Sequence, residues 1–84
     1  MSDIRVANQE TYEGTASGAV SLPLNRYVRK VVILNDSASN NLQFKFNDSE
    51  DYATLLPTES ISLHIRTNTV FLSGTAAYRV WAYS

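Results

Sequence analysis

From Arg26 onward, apolar and polar residues alternate with a period of two, the pattern that sends successive side chains to opposite faces of an extended strand. Val28 to Asn35 is the most apolar stretch, and its Val and Ile content predicts a central strand covered on both faces. Leu42, Phe44 and Phe46 alternate with Gln43, Lys45 and Asn47, which predicts a half-buried strand with the apolar set inward. Tyr52 to Leu56 predicts a short strand that stops where Pro57 removes a ladder donor. Ile61, Leu63 and Ile65 then alternate with Ser60, Ser62, His64 and Arg66. Thr67-Asn68 reads as a tight link to Thr69–Ser73, and Gly74 as the turn before a last strand, Ala77 to Tyr83. There Tyr78, Val80 and Ala82 oppose Arg79, Trp81 and Tyr83. Asn35 to Asn41 and Asp48 to Asp51 read as polar turns, because Asn, Asp and Ser side chains bond nearby backbone.

This spacing predicts an all-β fold, a small β-sandwich or open barrel of about 6–8 short antiparallel strands with an extended N-terminal arm. The expected core is Val32, Leu34, Leu42, Phe44, Ile61, Leu63, Ile65, Leu72 and Val80. Residues 1–25 read as the arm and residues 26–84 as the β-sandwich domain. Apolar residues are sparse in the arm, so it reads as a disordered tail or as an arm that orders against a neighbouring subunit, with Val20, Leu22 and Leu24 able to add one strand at its end.

Composition narrows the function classes. The 84-residue chain has no cysteine, so disulfides cannot reinforce its small core, and oligomerisation or docking on a larger body is the expected support. Net charge is −1, which gives no electrostatic case for nucleic acid or an anionic membrane. Apolar runs fall far short of the roughly 20 residues of a membrane-spanning helix. Met1 to Val6 has no apolar signal core, so an intracellular birthplace is expected.

Catalytic chemistry finds little to work with. His64 is the single imidazole; Ser60 and Ser62 share its strand face, but no nucleophile elbow or glycine-rich oxyanion loop accompanies them. Asp48, Glu50 and Asp51 offer hard oxygen ligands without the spacing or glycine of a calcium loop. Gly14, Gly18 and Gly74 do not match a phosphate-binding fingerprint. No catalytic residue, metal site or cofactor is therefore expected. Aromatic residues beside arginine on the last strand suit a contact surface, and Trp81 equally suits a core or rim position or a stacking platform. The interface candidates are Ile4, Val6, Tyr12, Val20, Leu22, Tyr27, Trp81 and Tyr83.

Three words of the sequence carry a resemblance: Lys30-Val31-Val32-Ile33-Leu34-Asn35-Asp36, Leu42-Gln43-Phe44-Lys45-Phe46-Asn47-Asp48 and Leu56-Pro57-Thr58-Glu59-Ser60-Ile61-Ser62-Leu63. With Val70–Gly74 and Tyr78–Tyr83, they resemble small β-sandwich virion proteins of tailed bacteriophages. Thr58 departs from that pattern, which more often has glycine after the proline. The resemblance implies a structural virion role and no reaction: a capsid decoration (cement) protein that binds the major capsid protein or another virion protein on the capsid surface and stabilises the shell, as a homo-oligomer with a trimer favoured. The alternatives are a head–tail, tail or head-fibre adaptor, and a carbohydrate-binding module using Trp81 and Tyr83.

Overall fold

The computed structural model describes residues 9–47 and 51–84. Among them are six strands: β1 (Gln9–Thr15), β2 (Val20–Asn35), β3 (Leu42–Lys45), β4 (Ala53–Leu55), β5 (Ser60–Gly74) and β6 (Ala77–Tyr83). All pair antiparallel in the order β1-β6-β2-β5-β3-β4. The fold is all-β, as the alternation predicts.

The two long strands decide the architecture. The second half of β2 pairs with β6 on one side and with the first half of β5 on the other, and β1 completes that layer. The first half of β2, Val20–Pro23, pairs with Leu72–Thr69 of β5, whose far edge carries β3 and then β4. Each long strand therefore serves two four-stranded layers. A single core joins them, with Val31, Ile33, Val80 and Ala82 from the first layer and Leu42, Phe44, Leu55, Val70 and Leu72 from the second. The shortest molecular extent, 17 Å, fits two layers stacked about 10 Å apart rather than one flat sheet.

The predicted core holds for Leu42, Phe44, Leu72 and Val80, which are buried, while Ile61, Leu63 and Ile65 are half-buried against that core. Val32 and Leu34 are the correction: Val31, Ile33 and Asn35 are the fully buried residues of β2. The cause is an irregularity. The β2–β5 register shifts between Pro23 and Val28 and again between Val28 and Lys30. Across these shifts the strand continues unbroken but changes phase, so the inward set passes from Leu22, Leu24 and Val28 to Val31 and Ile33. Thr67-Asn68 is likewise not a link, because β5 runs through it, with Thr67 buried and its hydroxyl donating to the Thr69 carbonyl at 2.9 Å.

The boundary at residue 25 also fails, since β2 crosses it unbroken. Gln9–Thr15 pairs along its whole length with Tyr83–Ala77 of β6, so this part of the expected arm is an edge strand of the domain's own sheet. Backbone ladder bonds supply what sparse apolar side chains cannot. The Ala16 N–H donates to the Ala76 carbonyl at 2.9 Å, with both side chains buried, and the Gly18 N–H donates to Gly74 at 2.9 Å. The Ile4 and Val6 candidates and Asp48 to Glu50 lie outside the described residues.

Asn35 ties the ends of these strands together. Its side chain is fully buried, and its Nδ2 donates toward the carbonyls of Asn40 (2.8 Å), Leu55 (3.1 Å) and Leu56 (3.1 Å). Its Oδ1 accepts from the Ser37 N–H at 3.0 Å, and its own N–H donates to Glu59 O at 2.8 Å. One amide thus holds the β2–β3 connection against the β4–β5 turn. In that turn the Glu59 N–H donates to Leu56 O at 3.0 Å and the Glu59 carboxylate accepts from the Leu56 N–H at 2.7 Å. Thr58 occupies the left-handed region, φ 66°, where a turn of this type calls for glycine, and its N–H reaches Ser37 O at 3.2 Å. A β-branched residue is strained there. Thr58→Gly should raise stability by about 0.5–1 kcal/mol, the relief of strain exceeding the entropy glycine adds to the unfolded chain. An unchanged or lower urea midpoint would contradict this.

Candidate interaction surface

The register lays out the outer face of the β1-β6-β2-β5 layer residue by residue. Gln9 stands opposite Tyr83, Tyr83 opposite Lys30, and Lys30 opposite His64. The next row is Thr11, Trp81, Val32 and Ser62, and the third is Glu13, Arg79, Leu34 and Ser60. The intervening residues, among them Ala82, Val31, Val80 and Ile33, turn inward and are buried. Because side chains alternate, the same ladder that fills the core brings Tyr83, Trp81, Val32 and Leu34 together on the outside.

These four side chains form a half-buried apolar stripe across the two middle strands. Polar residues frame it. At one end Arg79 pairs with Asp36 at 3.3 Å, with both side chains nearly half exposed, so this ion pair adds little to stability. At the other end the Lys30 ammonium sits over the Tyr83 ring, 5.8 Å from its centroid. Beyond it the Arg66 guanidinium lies 5.0 Å from the centroid of Tyr27, which at 55% exposure is among the most open large apolar residues described. The register places Val28 opposite Thr67, so their neighbours Tyr27 and Arg66 meet at the same end of the layer.

The structure thus brings Tyr27, Trp81 and Tyr83 to the outer surface. It places the other described candidates elsewhere: Tyr12, Val20 and Leu22 pack against the core from the inner faces of β1 and β2. Sequence reasoning missed Val32 and Leu34 as surface residues, and Lys30 and Arg66 as partners of the aromatic rings. No local word could have shown the latter, since Tyr27 and Arg66 meet only once β2 and β5 are paired.

The interior offers little polar chemistry. Ser60, Ser62 and His64 are exposed on the outer face, away from the space between the layers. Among the described residues, no three His, Asp or Glu side chains converge to hold a metal, and no pocket opens. Glu10 and Tyr12 are the inner polar pair. The Tyr12 hydroxyl donates to Glu10 Oε1, which also accepts from the Asn25 N–H at 2.9 Å, while Oε2 is buried without a partner among the described residues. The hydrogen bond to Glu10, then burial, then the carboxylate's charge push the Tyr12 phenol up from 10.0 to about 12. Its neutral form is favoured in the fold, so the stabilisation is present below the unfolded value and is lost as pH rises between the two. This pair acts as a latch between β1 and the bend of β2.

No protein-family model matches the chain, and no curated protein matches it in sequence. Solved structures do share its fold. A protein of unknown function (DUF1255) from Acinetobacter sp. ADP1 superposes with a TM-score of 0.56 at 6% identity, covering 92% of this chain and 69% of its own. A cupin-2 domain-containing protein from Shewanella frigidimarina gives 0.54 at 13% identity over 96% of this chain and 76% of its own. A cupin-superfamily protein from Desulfitobacterium hafniense gives 0.55 at 9% identity over 96% and 81%. The fold of the chain is similar to that of these cupin structures. At these identities the likeness speaks for architecture alone, because one fold carries many unrelated functions.

Proposed function

We propose that this chain is a non-enzymatic structural protein of a tailed-phage virion, a capsid decoration protein that attaches to the shell through the outer face of its β1-β6-β2-β5 layer. The observation that carries the reading is the Tyr83–Trp81–Val32–Leu34 stripe, an apolar surface that the domain's own core leaves unused. Large aromatic residues ringed by polar groups are the usual energetic centre of a protein–protein contact. The aliphatic lining between the layers supports a scaffold role over a reaction, and the resemblance of the sequence words to those of phage virion proteins favours a virion setting. The partner in this reading is the major capsid protein. A trimer of this chain at a local threefold position would multiply weak single contacts through multivalency.

Two measurements test it. Mass spectrometry of purified particles from the virus encoding the chain should find it at a copy number comparable with the shell protein; a handful of copies points to an adaptor, and none ends the reading. Trp81→Ala should weaken attachment to those particles about 30-fold, the effect of losing roughly 2 kcal/mol at an aromatic hot spot, with Trp81→Phe recovering part of it. Unchanged attachment of the Ala variant would remove the outer face from the contact.

A further inference from the structure

We infer that the end of the outer face carrying Tyr27, Lys30, Arg66 and Tyr83 docks a carboxylate-rich protein surface. This deepens the proposed function and rests on its reading of the outer face as a protein-binding surface.

Four of the seven Lys and Arg residues, Arg26, Arg29, Lys30 and Arg66, fall at the bend where β2 and β5 pass from one layer to the other. None of the four has an ion-pair partner among the described residues, whereas Arg79, at the opposite end of the same face, pairs with Asp36. Two of these cations are held by rings instead: Arg66 over Tyr27 at 5.0 Å and Lys30 over Tyr83 at 5.8 Å. A ring contact restricts where a guanidinium sits and leaves its N–H edge available. That edge matches the two oxygens of a carboxylate. A cation already positioned in this way loses less freedom on binding than a mobile side chain.

The arrangement suits carboxylates better than a phosphate backbone. A nucleic acid or anionic bilayer needs basic charge spread over a long track or a broad patch. Here the cations are confined to one end of the layer, with Glu13 in the row of Arg79, Asp36 paired to Arg79, and a net charge of −1 over the whole chain. The adjoining Tyr83 and Trp81 add apolar area of the kind a folded protein surface can cover.

The test uses the full chain and labelled poly-L-glutamate as the acidic polypeptide, with fluorescence anisotropy as the readout. A duplex DNA oligonucleotide and phosphatidylglycerol vesicles serve as the competing anions. Poly-L-glutamate should bind, and binding should weaken as salt is added. The double substitution Lys30→Gln and Arg66→Gln should weaken it about tenfold, while Lys45→Gln, in the other layer, should leave it unchanged. Circular dichroism and the thermal midpoint verify that the variants are folded. The inference is overturned if poly-L-glutamate does not bind, if the double variant binds it as well as the native chain, if Lys45→Gln weakens it equally, or if DNA or vesicles bind as tightly. Failure here is distinct from failure of the virion reading, since this titration needs no particle and the particle assay does not depend on poly-L-glutamate.

Discussion

Asn35→Asp should cost about 3–5 kcal/mol, a large share of a small domain's total stability. The substitution keeps the shape of the side chain and replaces its amide nitrogen with a second oxygen. That oxygen would face the carbonyls of Asn40, Leu55 and Leu56, all acceptors, in a fully buried position. Either the carboxylate stays charged against them or it takes up a proton at an energetic cost, and one proton serves fewer acceptors than two amide hydrogens. Asn35→Ala should be milder, about 2–4 kcal/mol, because it strands the same carbonyls without adding a charge. Denaturant unfolding at two pH values separates the cases: the Asp variant recovers part of its loss in acid, and the Ala variant does not. An Asp variant within 1 kcal/mol of the native chain would show that Asn35 does not hold these loops, a bound set by the roughly 1 kcal/mol net value of one ordinary hydrogen bond.

Phe44→Ala should cost about 3–5 kcal/mol. Phe44 is 6% exposed, stands opposite Leu72 of β5 and Ala53 of β4, and meets Phe46 edge-on with ring centroids 5.8 Å apart. Its layer is completed by β3 and the three-residue β4, so little neighbouring chain can move in to fill the vacated volume. Phe46→Ala should cost clearly less, since Phe46 is only half-buried against the core. Urea midpoints for the two variants, with the slope checked for constancy, measure the difference. Equal losses would place the two rings in equivalent environments, against the structure.

The sequence words behind the virion resemblance take on a physical meaning here. Asn35-Asp36 and Leu56-Pro57-Thr58-Glu59 lie far apart in the chain, yet the first supplies the amide and the second the carbonyls and turn of one hydrogen-bonded knot. In this chain these words therefore close its loops, and the contact surface on the outer face is a separate feature.

How much was legible follows from what alternation can encode. β6 was readable end to end, and Leu42, Phe44, Leu72 and Val80 were placed inside, because Gln43, Lys45, Ser73 and Arg79 mark the opposite faces of their strands. In Val31-Val32-Ile33-Leu34 both faces are apolar, so either phase satisfies the pattern, and only the irregularity beside Val28 decides it. β1 escaped notice because an edge strand is held by its backbone ladder with β6 and needs few apolar side chains. Asn35 reads as a turn residue at the end of an apolar run; nothing local marks it as the buried centre of two loops. For the surface, Tyr27, Trp81 and Tyr83 were recognisable as aromatic anchors, but the cations that flank them were not. Lys30 meets Tyr83, and Arg66 meets Tyr27, through strand register, a long-range property.

Electron cryomicroscopy of purified particles, with and without the chain bound, tests attachment through the outer sheet face most directly. The predicted result is added density for a two-layered β domain whose Tyr83–Trp81–Val32–Leu34 stripe faces the shell, with the Lys30 and Arg66 end against acidic residues of the partner. Particles that gain no density, or density in which this stripe faces solvent, would contradict it.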